Sequence, residues 1–268
     1  MKYKLIISDF DDTILDSRGL YSDYFVSTVR DFVSRGGHFH IATGRMTSGV
    51  IDHARAIGLK GDIITFQGSV VADIESGKIL VNDGFSPDVA VRITKYLEEL
   101  GCYFHVYSHT EVITKKSTRF TELYSGFSKC DIKETHSPVS EYIERTSHVS
   151  PKIMAMSDPD NIPSLMARLQ EEFRDVALVN TSKKWMVEIV PLGVDKGIAS
   201  AKLAKKLGIS REETLCIGDS LNDAPMIEWA GLGVVVANGS DAAKSYADVI
   251  MPSCDEEGVA KTILEYGI

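Results

Sequence analysis

The sequence has few cysteines and no long apolar runs. Its four cysteines (Cys102, Cys130, Cys216 and Cys254) include no CxxC pair, so they indicate neither a zinc site nor a disulfide framework. The longest apolar run, residues 229–237, has about half of the roughly 18 residues that a membrane span needs. The N-terminal segment lacks the hydrophobic region of a signal peptide. We therefore expect a cytoplasmic protein with no membrane segment.

Basic residues are also fewer than acidic ones. The 268 residues include 29 lysines and arginines against 38 aspartates and glutamates, which leaves a net charge of -9. An acidic chain has no general attraction for nucleic acid or for an anionic membrane, so we expect neither as a partner. Composition does not decide between a monomer and a dimer.

Strand-like and helix-like segments alternate at both ends of the chain. The predicted N-terminal order is strand 4–8, helix 22–36, strand 38–42, helix 47–57 and strand 62–66. The C-terminal order is helix 196–207, strand 214–217, helix 222–229, strand 232–236, helix 240–246, strand 248–250 and helix 257–266. This alternation predicts an α/β fold with a doubly wound parallel sheet.

The pattern changes between these two halves. The predicted elements there are helix 88–100, strand 102–107, strand 152–156, helix 160–173 and paired strands 176–181 and 185–190, with a polar stretch at 108–150. This order predicts an inserted α+β domain with a mostly antiparallel sheet. We therefore divide the chain into a core, residues 1–82 and 191–268, and an insert, residues 83–190.

Four polar stretches fall where predicted strands end or a helix begins. They are DFDDT (Asp9, Asp11), ATGR (Thr43, Gly44), DKG (Lys196) and GDSLND (Asp219, Asn222, Asp223). Each alone has an ordinary structural explanation, such as a helix N-cap or a solvated lysine. Because open α/β sheets bind ligands beyond the carboxyl ends of their strands, we expect the stretches to meet in one crevice. Clustered carboxylates need a cation, and Mg²⁺ is the usual choice beside phosphate.

These four stretches, in this order, resemble the signatures of the haloacid dehalogenase superfamily of aspartyl phosphotransferases. The GDSLND form and an insertion after the third strand are similar to its Cof-like branch, which has a large α+β cap. The resemblance covers the whole chain and implies a Rossmann-like core with a cap that selects substrates. It also implies a Mg²⁺-dependent phosphatase of small phosphorylated metabolites. Among these metabolites, the resemblance favours sugar phosphates as the substrate class.

The resemblance further implies catalytic and metal-binding roles. Asp9 would be the nucleophile, and Asp11 would be the general acid and then the general base. Mg²⁺ would be bound by Asp9, the backbone carbonyl of Asp11 and Asp219, with Asp223 supporting the site from outside.

Phosphate binding is implied for four further groups. Thr43, the amide of Gly44, Lys196 and Asn222 would bind the oxygens of the transferred phosphoryl group.

Two positions depart from the family pattern. The family usually has glycine where this chain has Asp12. We therefore expect the backbone at this position to be conformationally more restricted, and we do not expect Asp12 to bind the metal. The family often has Asn-Gly after the third strand, whereas this chain has Gln67-Gly68-Ser69, which leaves the contacts of that loop open.

Three other functions are compatible with parts of the pattern. A phosphomutase would return the phosphoryl group to its substrate instead of releasing phosphate. A receiver-type signalling module would place its acceptor aspartate after the third strand, whereas this chain has its acidic pair after the first. A non-catalytic sugar-phosphate-binding regulator would not need Asp9, Asp11 and Lys196 together.

Overall fold

Short apolar runs form the central strands, and amphipathic segments between them form the helices. The computed structural model describes residues 2–128 and 130–268. The strands are β1 (Leu5–Ser8), β2 (His38–Ile41), β3 (Asp62–Thr65), β4 (Val70–Asp73), β5 (Ile79–Asn82), β6 (Tyr103–Tyr107), β7 (Glu111–Thr114), β8 (Asp131–Glu134), β9 (Ile153–Met156), β10 (Ala177–Lys183), β11 (Met186–Pro191), β12 (Thr214–Gly218), β13 (Leu232–Val236) and β14 (Val249–Met251). The helices are α1 (Asp23–Ser34), α2 (Ile51–Ile57), α3 (Pro87–Glu99), α4 (Arg119–Ser128), α5 (Val139–Thr146), α6 (Ile162–Glu172), α7 (Lys196–Leu207), α8 (Ala224–Trp229), α9 (Asp241–Lys244) and α10 (Gly258–Thr262).

The chain divides into two units. The first comprises Met1–Arg45, Val50–Leu80 and Asp195–Ile268, and the second comprises Met46–Gly49 and Val81–Val194. Each unit has its own apolar core. The assignment of a catalytic and a substrate-selecting role to the two parts of the chain stays a prediction.

The main sheet of the first unit has five parallel strands in the order β14-β13-β12-β1-β2. From β1 the chain continues outward to β2, and from β12 it continues outward in the other direction to β13 and β14. The strand order therefore reverses between β1 and β12, which is where open α/β sheets bind ligands. The predicted doubly wound α/β fold is confirmed.

Helices cover both faces of this sheet, so its strands are buried on both sides. On one face, Ile6 belongs to the same apolar cluster as Phe32 of α1 and Val259 of α10. On the other face, Ile7 belongs to a cluster with Leu203 of α7. Such strands are continuous apolar runs, which is why β1, β12 and β13 are recognisable from the sequence.

The third strand runs parallel to β2, as predicted, but it also has an antiparallel partner that the sequence analysis missed. β3 pairs antiparallel with β4, in a three-stranded sheet of order β3-β4-β5. A parallel bridge between Ala42 and Ile64 links β3 to the parallel sheet, and the Thr43 N–H donates to the Ile64 carbonyl at 3.0 Å. The sequence analysis missed β4 and β5, which have four residues each; β4 buries only alternate residues, and β5 buries none fully. A tight turn after β3 leads into β4, so the hairpin satisfies backbone groups on the second edge of β3.

The second unit contains a six-stranded sheet of order β10-β11-β9-β6-β7-β8. The pairings are antiparallel apart from β7 with β8, so the predicted α+β insert with a mostly antiparallel sheet is confirmed. Within residues 108–150, where no element was predicted, the structure has β7, α4, β8 and α5. These elements are short, and β8 buries none of its residues fully, so the apolar pattern of that strand is weak. In the described ranges, no helix has the length and apolarity to cross a membrane.

Neighbouring residues of α1 test the assignment of the core. Phe32 is fully buried, whereas Val33 is 42% exposed. We expect Phe32→Ala to lower the free energy of unfolding by about 4 kcal/mol, because it leaves a cavity. The control, Val33→Ala, should change it by less than about 1 kcal/mol. Urea unfolding followed by circular dichroism measures both, and equal losses would show that α1 presents a different face to the core.

Candidate active site

The parallel sheet brings two acidic residues to one point. Asp9 directly follows β1, and Asp219 directly follows the neighbouring strand β12. The two strands stay paired up to Ser8 and Ile217, and the Asp9 N–H donates to the Ile217 carbonyl at 2.9 Å. Both carboxylates therefore project from the end of the sheet at which the strand order reverses.

A buried lysine connects two of the acids. Lys196 is the first residue of α7, and its preceding residue, Asp195, caps that helix by accepting a hydrogen bond from the Ile198 N–H at 2.7 Å. Lys196 Nζ donates to Asp9 Oδ1 at 2.5 Å and to Asp223 Oδ1 at 2.6 Å. Lys196 and Asp223 are completely buried, and Asp9 is 5% exposed. An ammonium can be buried here because it has two carboxylate partners.

The charges in this cluster are not balanced. Burial opposes the charge of Lys196, but the carboxylates of Asp223 and Asp9 outweigh burial and raise the pKa of Lys196 above its ordinary value. Burial raises the pKa of Asp9; Lys196 opposes this rise, and Asp223 and Asp219 add to it. Burial and then the charge of Asp223 raise the pKa of Asp219 to about 7. Burial and the repulsion between the acids therefore both oppose the charged forms of Asp9 and Asp219, and Lys196 offsets this only in part.

The donor set fits a hard divalent cation. Asp9, Asp219 and Asp223 each offer a carboxylate oxygen, and the three oxygens lie within 4.8 Å of one another. Three carboxylates and the one ammonium of Lys196 leave a formal charge of -2, which a divalent cation would neutralise. Carboxylate oxygens are the ligands that Mg²⁺ prefers. The Thr13 hydroxyl donates to Asp219 Oδ1 at 3.2 Å and helps to orient that carboxylate.

Asp223 mainly shapes the loop after β12. Its Oδ1 accepts from Lys196, and its Oδ2 accepts from the N–H groups of Asp219 and Ser220, each at 3.0 Å. Both oxygens therefore have protein partners. This arrangement suits a supporting position better than direct metal binding.

The side chain of Asp11 is directed to Arg45 and does not join the carboxylate cluster found in the described residues. Arg45 Nε lies 2.8 Å from Asp11 Oδ2, and Arg45 Nη2 lies 2.5 Å from Asp11 Oδ1. The Arg45 guanidinium also lies 5.0 Å from the centre of the Phe10 ring. The pair is bidentate and therefore fixes the direction of the Asp11 carboxylate. The sequence analysis gave Arg45 no role, although it ends the ATGR stretch.

Asp12 adopts the backbone conformation for which glycine is usually needed. Its φ is 55°, in the left-handed region that aspartate tolerates better than most residues with a Cβ atom. Asn238 Nδ2 donates to the Asp12 carbonyl at 2.7 Å, and Asn238 Oδ1 accepts from the Cys254 N–H at 2.8 Å. The departure from glycine is thus accommodated by a conformation that these hydrogen bonds hold. Asp12 is exposed and lies outside the carboxylate cluster.

The residues predicted to bind phosphate lie at the same end of the sheet. Thr43 and Gly44 follow β2, which pairs with β1. Thr43 is buried, and its Oγ1 accepts from the Arg45 N–H at 3.1 Å. A Cβ atom at Gly44 would overlap the side-chain amide of Gln67, so glycine allows Gln67 to approach the backbone this closely.

Gln67 also contacts Asn222, in the loop after β12. Asn222 Nδ2 donates to Gln67 Oε1 at 3.0 Å, and Asn222 Oδ1 accepts from the Ser220 hydroxyl at 2.6 Å. The loop whose contacts the sequence left open therefore brings Gln67 between Gly44 and Asn222. The only sequence signal for this contact is that glutamine replaces the asparagine usual in the family.

Known proteins are similar to this chain over nearly its whole length. A model of the family described as haloacid dehalogenase-like hydrolase matches residues 6–263. A Streptococcus pyogenes protein with the provisional name of a phosphatase is 31% identical over 275 residues, covering 99% of each chain. A Bacillus subtilis protein named 5-amino-6-(5-phospho-D-ribitylamino)uracil phosphatase is 29% identical over 264 residues, covering 97% of this chain and 94% of that protein. A solved haloacid dehalogenase-like hydrolase from Bacteroides thetaiotaomicron has a TM-score of 0.87 at 26% identity, covering 98% of this chain and 99% of that one.

The buried ammonium can be tested through stability. Lys196→Met should lower the free energy of unfolding by about 3 kcal/mol or more, because it leaves the Asp9 and Asp223 carboxylates buried without a cation. Lys205→Met, at an exposed position of the same helix, is the matched control and should cost less than about 1 kcal/mol. Chemical unfolding in metal-free buffer measures both variants. Equal stabilities would contradict the buried ion pairs.

Proposed function

The chain belongs to the haloacid dehalogenase-like hydrolase family, and from this premise we propose that it is a Mg²⁺-dependent phosphatase of small phosphorylated metabolites. The observation that carries the proposal is the meeting of Asp9, Lys196, Asp219 and Asp223 at the point where the strand order reverses. Membership of the family confirms the resemblance noted in the sequence.

In the proposed reaction, Asp9 is the nucleophile. Lys196 engages Asp9 Oδ1, and we assign the attack to Oδ2. A bond forms from this oxygen to phosphorus while the bond to the leaving alcohol oxygen breaks, which produces an aspartyl-phosphate. One difficult hydrolysis is thereby divided into two easier displacements.

Asp11 is the proposed general acid and base. It gives a proton to the leaving alcohol oxygen, then takes one from the water that attacks phosphorus and breaks the bond to Asp9. Inorganic phosphate leaves, and both carboxyl groups return to their initial states. In the structure both Asp11 oxygens accept from Arg45, so the proposed role requires the Asp11 side chain to leave Arg45 and turn towards the phosphoryl group.

The transferred phosphoryl group needs positive charge and hydrogen-bond donors. We propose that its oxygens accept hydrogen bonds from Thr43, the Gly44 amide, Lys196 and Asn222. These donors are held in position before the substrate binds. They project from the loops after β2 and β12 and from the start of α7.

Asp9, Asp219 and the backbone carbonyl of Asp11 are the proposed Mg²⁺ ligands, with Asp223 supporting the site. When bound, Mg²⁺ would reduce the repulsion between the Asp9 carboxylate and the anionic phosphate.

Sugar phosphates are the proposed substrate class. The Bacillus subtilis relative is named for a compound in which a ribityl chain, an open sugar alcohol, bears the phosphate. We propose that residues 1–82 and 191–268 perform the chemistry and that residues 83–190 select the metabolite. Nucleotide, flavin and pyridoxal phosphates are the next classes to examine.

The nucleophile assignment is tested by phosphate release from a panel of phosphorylated metabolites in the presence of Mg²⁺. The wild type should release inorganic phosphate from at least one sugar phosphate, and Asp9→Asn should abolish release without unfolding the protein. Asp12→Asn is the control and should keep activity within roughly tenfold, or about 1.4 kcal/mol of barrier. Normal rates in Asp9→Asn would show that another group attacks. Isomerised substrate without phosphate release would identify a phosphomutase instead.

The metal assignment is tested by thermal unfolding with and without MgCl₂. Mg²⁺ at about a hundred times its dissociation constant should stabilise the wild type by about 2.7 kcal/mol. Asp219→Asn should lose most of this response because it removes a carboxylate ligand. Asp52→Asn, at a side chain that is 84% exposed, should keep it. An undiminished response in Asp219→Asn would place the Mg²⁺ site elsewhere.

A further inference from the structure

The proposed mechanism does not use Gln67, although its side chain lies between two of the proposed phosphate ligands. Gln67 Oε1 accepts from Asn222 Nδ2 at 3.0 Å. Gln67 Nε2 is the atom closest to the position that a Cβ atom would take at Gly44. The amide of Gln67 therefore lies beside the backbone of Gly44 and the side chain of Asn222.

The backbone that carries Gln67 is strained. Phe66 and Gln67 have φ values of 51° and 60°, and Gly68 follows with 103°. Two consecutive residues with a Cβ atom in the left-handed region are unfavourable, and such conformations persist only where surrounding contacts enforce them. Strained segments of this kind cluster at functional sites.

Contacts on both sides hold the loop in place. The Phe66 N–H donates to the Arg45 carbonyl at 2.9 Å, and the Gln67 N–H donates to the Thr43 carbonyl at 3.0 Å. On the other side, a Cβ atom at Gly68 would overlap the carbonyl of Asp195, the residue that caps α7. The loop is thus fixed between the segment that contains Thr43 and the start of the helix that contains Lys196, so Gln67 is a preorganised group.

The hydrogen bonds of Gln67 leave donors available. A glutamine amide has one acceptor oxygen and two N–H donors. The oxygen is used by Asn222, whereas within residues 2–128 and 130–268 Nε2 donates to no protein acceptor. Gln67 is partly exposed, so a bound anion could reach this nitrogen.

We propose that Gln67 Nε2 donates a hydrogen bond to the phosphoryl group, as a further binding residue beside the Gly44 amide and Asn222. The inference rests on the proposed function, because it places the phosphoryl group next to those two residues. The contact with Asn222 has a second consequence: by accepting from Nδ2, Gln67 keeps its own oxygen turned away from the anion and its nitrogen available.

The test uses inorganic phosphate as the probe and isothermal titration calorimetry of the full chain with Mg²⁺. Gln67→Met keeps similar side-chain volume without the donor, and it should raise the dissociation constant of phosphate about tenfold. Gln67→Glu should raise it further, because a carboxylate repels the anion. The other glutamine of the chain, Gln170, donates to the Val179 carbonyl at 3.1 Å, and Gln170→Met should leave the constant unchanged.

The same measurements in an Asn222→Ala background separate a direct contact from an indirect one. A direct donor predicts that Gln67→Met still weakens phosphate binding there. Loss of the effect in that background would mean that Gln67 only positions Asn222 and would overturn the inference. Unchanged binding in Gln67→Met, or no phosphate binding by the wild type, would also overturn it. The proposed function fails separately, if the wild type binds phosphate but hydrolyses no phosphate ester.

Discussion

The Lys196 ammonium between the carboxylates of Asp9 and Asp223 is the contact on which the rest of the site depends. It joins the end of β1, the start of α7 and the loop after β12, three segments that are far apart in the sequence. Burial of any of these charges alone would be strongly unfavourable. One ammonium does not balance all the acids, however: burial and then the charge of Asp223 raise the pKa of Asp219 to about 7, although Lys196 opposes this rise. The same excess of negative charge that is costly in the free protein makes a divalent cation a favourable ligand.

The order of the parallel strands explains why these polar groups meet at this place. Because the chain leaves β1 and β12 in opposite directions, the loops beyond their carboxyl ends separate and leave room for a ligand. The five-stranded sheet is buried on both faces, so the strands hold these loops rigidly. The loop after β3 adds a strained turn that presents Gln67 between Gly44 and Asn222. Rigid placement of acids and donors is what phosphoryl transfer requires of a protein.

Much of this architecture can be predicted from the sequence, and the features that the prediction missed were missed for physical reasons. The predicted helix 196–207 and strand 232–236 agree with the structure to the residue, because Asp195 and Gly208 mark the helix ends and β13 is a buried apolar run. The antiparallel pairing of β3 with β4 depends on a tight turn in which Phe66 and Gln67 both have left-handed backbone conformations. The pairing was missed because neither residue type indicates such a conformation. The contacts of Asp11 with Arg45 and of Gln67 with Asn222 join residues 34 and 155 positions apart, so local spacing contains no signal for them.

The central claim is that Asp9 and Asp219 share one divalent cation while Lys196 keeps its contacts with Asp9 and Asp223. A crystal structure of the protein grown with Mn²⁺, with anomalous diffraction data collected to locate the ion, tests it most directly. We predict one strong anomalous peak in contact with the carboxylates of both Asp9 and Asp219. A peak remote from these two residues, or Asp9 and Asp219 side chains that point away from each other, would contradict the account.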